Sequence, residues 1–98
     1  MRIVTYKRIE EFVAKHADAG TPLYVWYHTV SIKNWDSIND LRRDFNGVDY
    51  VGNHRFVFNI KGNSYRLVAI ISFNAKKLYI RFIGTHAEYD KLKDIKNL

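Results

Sequence analysis

The chain predicts an α+β domain: an N-terminal strand and helices packed on a mostly antiparallel β-sheet, closed by a short C-terminal helix. Three observations carry this. Apolar residues recur at helical spacing through the first half. From Arg55 to Ile83 the period switches to two. No linker, repeat or low-complexity tract separates the halves, so residues 1–98 read as a single domain. A content of 47% hydrophobic and 15% aromatic residues suffices for one core.

Met1–Tyr6 is β-rich. Ile9, Phe12, Val13 and His16 then follow i, i+3, i+4, i+7 spacing up to Gly20. Thr21-Pro22 marks a restart, with Thr as cap and Pro at the first helical position. Leu23, Trp26, Tyr27 and Val30 form the next apolar face, which assigns Trp26 to the core. Asp36 or Ser37 caps a shorter helix that turns Ile38, Leu41 and Phe45 inward and stops near Gly47. Strands follow: Arg55–Ile60, a Gly62-Asn63 hairpin turn, Ser64–Phe73, a turn at Asn74–Lys77, and Leu78–Ile83. A short basic helix starts at Thr85.

Register converts this order into geometry. With Gly62-Asn63 as turn residues, Ile60 faces Tyr65, Phe58 faces Leu67 and Asn59 faces Arg66. With Asn74–Lys77 as a four-residue loop, Phe73 faces Leu78 and Arg66 faces Thr85. One face then carries Phe56, Phe58, Ile60, Tyr65, Leu67, Ile71, Phe73, Leu78, Ile80 and Phe82 against the helices. On the other face Asn59, Arg66 and Thr85 form a row, with His86 beside it.

Charge adds a direction. Residues 1–49 hold seven basic and seven acidic residues, whereas residues 50–98 hold nine and three, so the whole net charge of +6 sits in the second half. A one-sided positive field favours polyanions, RNA and DNA foremost. The chain has no cysteine, which excludes disulfides, thiol nucleophiles and cysteine-ligated zinc. No His or carboxylate spacing suits a metal, and no phosphate-cradling Gly-rich motif occurs. Without a signal-peptide pattern or a membrane-length apolar run, a small soluble cytoplasmic protein is expected, with no membrane partner.

Thr85-x-x-Glu88 is a capping box, which accounts for Thr85 and Glu88 without function. It does not account for His86, a side chain that titrates near neutral pH and here opens a helix. Tyr89, three residues on, projects from the same face. Arg66 interrupts an apolar strand; an Arg there either snorkels or forks onto phosphate oxygens. Arg55, Lys61 and Arg81 are expected contacts to an RNA backbone, the alternative being simple solvated charges, and His54, itself a loop residue of a kind often incidental, completes the RNA-binding set with Asn59 and Asn63. His16 belongs to the core margin, and His28 has no supporting neighbours.

The run His54-Arg55-Phe56-Val57-Phe58-Asn59-Ile60-Lys61-Gly62-Asn63-Ser64-Tyr65-Arg66-Leu67, followed by Tyr79-Ile80-Arg81 and Thr85-His86-Ala87-Glu88-Tyr89-Asp90, resembles the HigB-type toxins of bacterial toxin–antitoxin modules, within the RelE/ParE-like superfamily. The resemblance is sharpest over residues 54–90. It implies a RelE-like fold and a ribosome-dependent mRNA endonuclease that works without metal or other cofactor. It also implies a HigA-type helix-turn-helix antitoxin as partner, with operator DNA reached only through that antitoxin. It places Arg66 near the scissile phosphate and gives His86 and Tyr89 the acid–base positions. The ParE branch acts on gyrase, so a non-catalytic RNA-binding or gyrase-inhibiting toxin is the alternative.

Overall fold

A computed structural model describes all 98 residues. Strand β1 (Arg2–Val4) leads into α1 (Lys7–Lys15), a 3-10 turn at Ala17–Ala19, α2 (Gly20–Ile32) and α3 (Ile38–Asp44). Then come β2 (Asp49–Gly52), β3 (Arg55–Ile60), β4 (Tyr65–Ser72), β5 (Lys77–Thr85), α4 (His86–Asp90) and a final 3-10 turn at Ile95–Asn97. The five strands form one sheet in the order β1-β5-β4-β3-β2, antiparallel except where β1 runs parallel to β5. No helix is long and apolar enough to cross a membrane.

The core lies between one sheet face and the first three helices. Ile9, Leu23, Trp26, Val30 and Leu41 pack with Phe56, Phe58, Ile60, Leu67, Ile71, Leu78 and Ile80. Phe58 is its aromatic centre, edge-on to Trp26 at 5.4 Å and to Phe45 at 5.3 Å between ring centroids. The second face is apolar where Val57, Val68 and Phe82 stand in one row. The chain beyond α4 returns to this side: the Asn53 amide donates to the Lys96 carbonyl at 3.0 Å.

Local signals explain most boundaries. Ser37 Oγ accepts from the Asp40 amide at 3.3 Å and caps α3. Helix α2, however, starts at Gly20, directly out of the 3-10 turn, without a side-chain cap. Pro22 therefore sits inside the first turn, where its missing N–H costs nothing. Strand β2 was not expected. It is short, led by Asp49 and bulged between Tyr50 and Gly52, and it owes its form to pairing with β3 at the sheet edge. The terminal helix His86–Asp90 is not itself basic; Lys91, Lys93 and Lys96 follow it.

The β3–β4 hairpin has the expected register, with Ile60 opposite Tyr65 and Asn59 opposite Arg66. The β4–β5 register differs. Ser72 pairs with Lys77 and Ile71 with Leu78, so the turn is Phe73–Lys76 rather than Asn74–Lys77. The Ser72 hydroxyl accepts from the Ala75 amide at 3.2 Å, and Lys76 adopts a φ of 56° to close it. Further along, Arg81 is an extra residue on β5, since Ala69 pairs with Ile80 and Val68 with Phe82. This bulge inverts the alternation beyond it. Ile83, not Phe82, packs toward the helices, and Arg66 lies opposite Gly84, not Thr85.

Candidate active site

Tyr65 and Leu67 face the helices, so Arg66 leaves β4 on the second face. Helix α4 starts where β5 ends. Thr85 Oγ1 accepts from the Glu88 amide at 3.1 Å, and Glu88 Oε1 accepts from the Thr85 amide at 2.8 Å, completing the capping box. The His86 amide donates to the Ser64 carbonyl at 3.2 Å, which ties the start of α4 to the β3–β4 hairpin.

These ties bring the imidazole to the guanidinium. Arg66 Nη2 lies 3.0 Å from His86 Nε2, and Arg66 Cζ lies 4.9 Å from the centre of the Tyr89 ring. On the other side of the imidazole, His86 Nδ1 lies 2.9 Å from Asp90 Oδ2. Arg66 Nε is buried with no partner, as are Arg55 Nε and Trp26 Nε1. Burial pushes the Tyr89 phenol above its ordinary value of 10.0; Arg66 opposes the shift, and Asp49 and Asp90 reinforce it. Tyr89 is therefore a protonated hydroxyl at neutral pH.

Of the residues expected to act together, Arg66, His86 and Tyr89 converge. Asp90 joins them although it was not foreseen as a site residue. Its signal was the i, i+4 spacing from His86, which puts both side chains on one helical face. Asn59 lies opposite Arg66 on β3, but the partner of the guanidinium is His86. Asn63 is exposed at the hairpin tip. Lys61, expected on the RNA backbone, pairs with Asp18 at 2.7 Å, and the Tyr65 hydroxyl donates to the same carboxylate at 2.5 Å. Lys61 thereby braces the hairpin against the helical layer, and its hydrogen bond, then that of Tyr65, holds the Asp18 carboxyl below its ordinary value.

Arg55 opens β3 about 13 Å from Asn59 at the usual strand rise, and His54 lies in the turn before it. Arg55 donates to the Asn53 carbonyl at 2.9 Å and to a backbone oxygen of Leu98 at 2.6 Å. Arg81 Nε reaches the same Leu98 oxygen at 3.2 Å. These two guanidiniums fasten the C-terminal segment. A cavity of about 540 Å³, lined by Arg8, Glu11, Phe12, Lys15, His16 and Glu88 among others, shares no residue with the Arg66–His86–Tyr89–Asp90 cluster. Nowhere do three His, Cys, Asp or Glu side chains converge as a metal site would require.

Residues 19–92 match the HigB toxin family, the RelE-like toxic component of a toxin–antitoxin system. The chain belongs to the HigB toxin family. Among its relatives, mRNA interferase toxin HigB of Escherichia coli strain K12 is 32% identical over 93 residues, which make up 92% of this chain and 88% of that protein. The mRNA interferase HigB of Shigella flexneri matches to the same extent. The mRNA interferase HigB of Escherichia coli O6:H1 is 29% identical over 94 residues, 94% of this chain and 91% of that one. The matched region contains the whole cluster, Arg66, His86, Tyr89 and Asp90. As a HigB toxin, the chain has an antitoxin as its partner.

Proposed function

We propose that this toxin is an mRNA interferase, an endoribonuclease that cuts messages on the translating ribosome in the cytoplasm by acid–base chemistry without a metal. That the relatives are mRNA interferases supports the reaction class. The observation that carries the site is the 3.0 Å contact between Arg66 and His86, made by residues from a middle strand and the terminal helix.

In the proposed step the message's own 2′-hydroxyl attacks the adjacent phosphorus. The hydroxyl proton goes to His86 Nε2, the P–O5′ bond breaks, and the departing 5′-oxygen takes a proton from the neutral Tyr89 phenol. The products are a 2′,3′-cyclic phosphate and a 5′-hydroxyl. Arg66 neutralises the charge that builds on the phosphoryl oxygens. So few groups leave most of the acceleration to positioning, which a ribosome holding the message in an in-line geometry supplies. The proposed partner is a HigA-type helix-turn-helix antitoxin, through which alone the toxin meets operator DNA.

The test is cleavage of a message on programmed ribosomes, with ends mapped by primer extension. Wild type gives discrete cuts. Arg66→Ala lowers the rate roughly 10²–10³-fold, and His86→Ala roughly 10²–10⁴-fold. Intact messages accompanied by DNA damage in growing cells would replace this reading with gyrase inhibition.

A further inference from the structure

We infer that Asp90 is a positioning residue that fixes the tautomer of His86, and that Arg66 covers the remaining imidazole lone pair until an RNA phosphate draws the guanidinium away. The inference rests on the nuclease reading for its consequence, though not for its geometry.

Arginine has donors and no acceptor, so at the 3.0 Å contact Nη2 donates and His86 Nε2 must offer its lone pair. The ring hydrogen of the neutral imidazole then resides on Nδ1, and it points at the Asp90 carboxylate 2.9 Å away. Contacts from two different elements, β4 and α4, thus select the same tautomer. The charged and titratable groups around the ring are Arg66 from β4 and Asp90 and Tyr89 from α4, with Asp49 of β2 acting on Tyr89. A carboxylate that accepts the Nδ1 hydrogen leaves Nε2 as the only basic atom, and it stabilises the imidazolium formed when Nε2 takes a proton.

The same geometry leaves the free toxin's base masked. Nε2 cannot accept a substrate proton while it accepts a hydrogen bond from Arg66. A phosphate competes for that donor with full negative charge and with oxygens spaced for the guanidinium fork. Arg66 also brings Nε–H, which has no partner to give up. Binding of the scissile phosphate therefore frees the lone pair beside the 2′-hydroxyl it is to deprotonate. Asp90 keeps the ring from rotating or changing tautomer during the exchange.

The experiment is ¹⁵N NMR of the His86 ring in the full-length toxin, paired with single-turnover cleavage on programmed ribosomes. Wild type should show the hydrogen on Nδ1 alone. Adding an oligoribonucleotide with a 2′-deoxy sugar at the cleaved position should shift the Nε2 resonance and leave Nδ1 protonated. In Asp90→Ala the ring should populate both tautomers, with a kcat roughly tenfold or more below wild type and KM unchanged. Asp90→Asn, which keeps one acceptor oxygen, should fall between the two. Asp90 is exposed, so both variants should keep the wild-type melting temperature. Hydrogen on Nε2 in wild type, or an unchanged ring and kcat in Asp90→Ala, would overturn the inference. If the ring behaves as described in a toxin that cuts no message, the tautomer assignment stands and the nuclease reading fails.

Discussion

Arg66 on β4 and Gly84 on β5 stand directly opposite each other, so the guanidinium leaves its strand beside a residue with no side chain. A methyl group at Gly84 would overlap the Phe82 ring and lie 3.1 Å from Glu88 Oε1, the oxygen that closes the capping box. Gly84→Ala should therefore cost about 1–3 kcal/mol, the usual range for overpacking, and should lower cleavage by displacing α4. Thermal denaturation and message cleavage check it. Phe82→Leu in the same chain, by shortening the obstructing side chain, should restore part of both.

Helix α4 has five residues and no fully buried side chain, so its capping box is a large share of what holds it. Thr85→Ala should cost about 1 kcal/mol of stability. The loss of cleavage should be larger than that stability loss implies, because His86, Tyr89 and Asp90 all ride on this helix. Comparing denaturation midpoints with single-turnover rates separates the two effects.

The hairpin brace predicts a pH signature. Lys61 and Tyr65 hold the Asp18 carboxyl below 3.8 in the folded protein. A carboxyl with a depressed folded value contributes stability above its unfolded value and loses it as pH falls through the folded one. Asp18→Asn should thus lower the melting temperature at neutral pH, and the gap from wild type should close in acid below 3.8. A gap that persists at low pH would assign the effect to something other than this ionised contact.

Removing the centre of the core tests the fold apart from the site. Phe58 is 1% exposed and meets both Trp26 and Phe45. Phe58→Ala should cost about 3–5 kcal/mol by denaturant titration.

The sequence is most legible where turn chemistry is explicit. Gly62-Asn63 sets the β3–β4 register, and with it the pairing of Asn59 and Arg66. The β4–β5 turn offers no such mark, because Phe73 looks like a further strand residue and Lys76 must take a left-handed backbone. The bulge is hidden for a related reason: Phe82 and Ile83 are both apolar, so either phase satisfies a period of two. Arg66 and His86 still meet, because a long side chain on a strand and the first residue of a helix tolerate a shift of one ladder position. Asp90 becomes visible only with the phase of α4. The use of Arg55 and Arg81 to hold Leu98 has no counterpart in local pattern, since residues 91–98 carry no periodicity to show where they return.

The extra residue in β5 has a bearing on how the chain tolerates changes in length. Ile80 and Phe82 already take adjacent partners on β4, so Arg81 is a spare in the ladder. Deleting it would straighten the strand and leave Leu98 to Arg55 alone, yet keep Ile83 inward and Gly84 facing Arg66. Loss of any single residue between Phe82 and Thr85 would instead turn the following side chains inside out. A gap aligned at Arg81 between this toxin and a relative is thus compatible with an unchanged catalytic cluster, whereas one a few positions later is not.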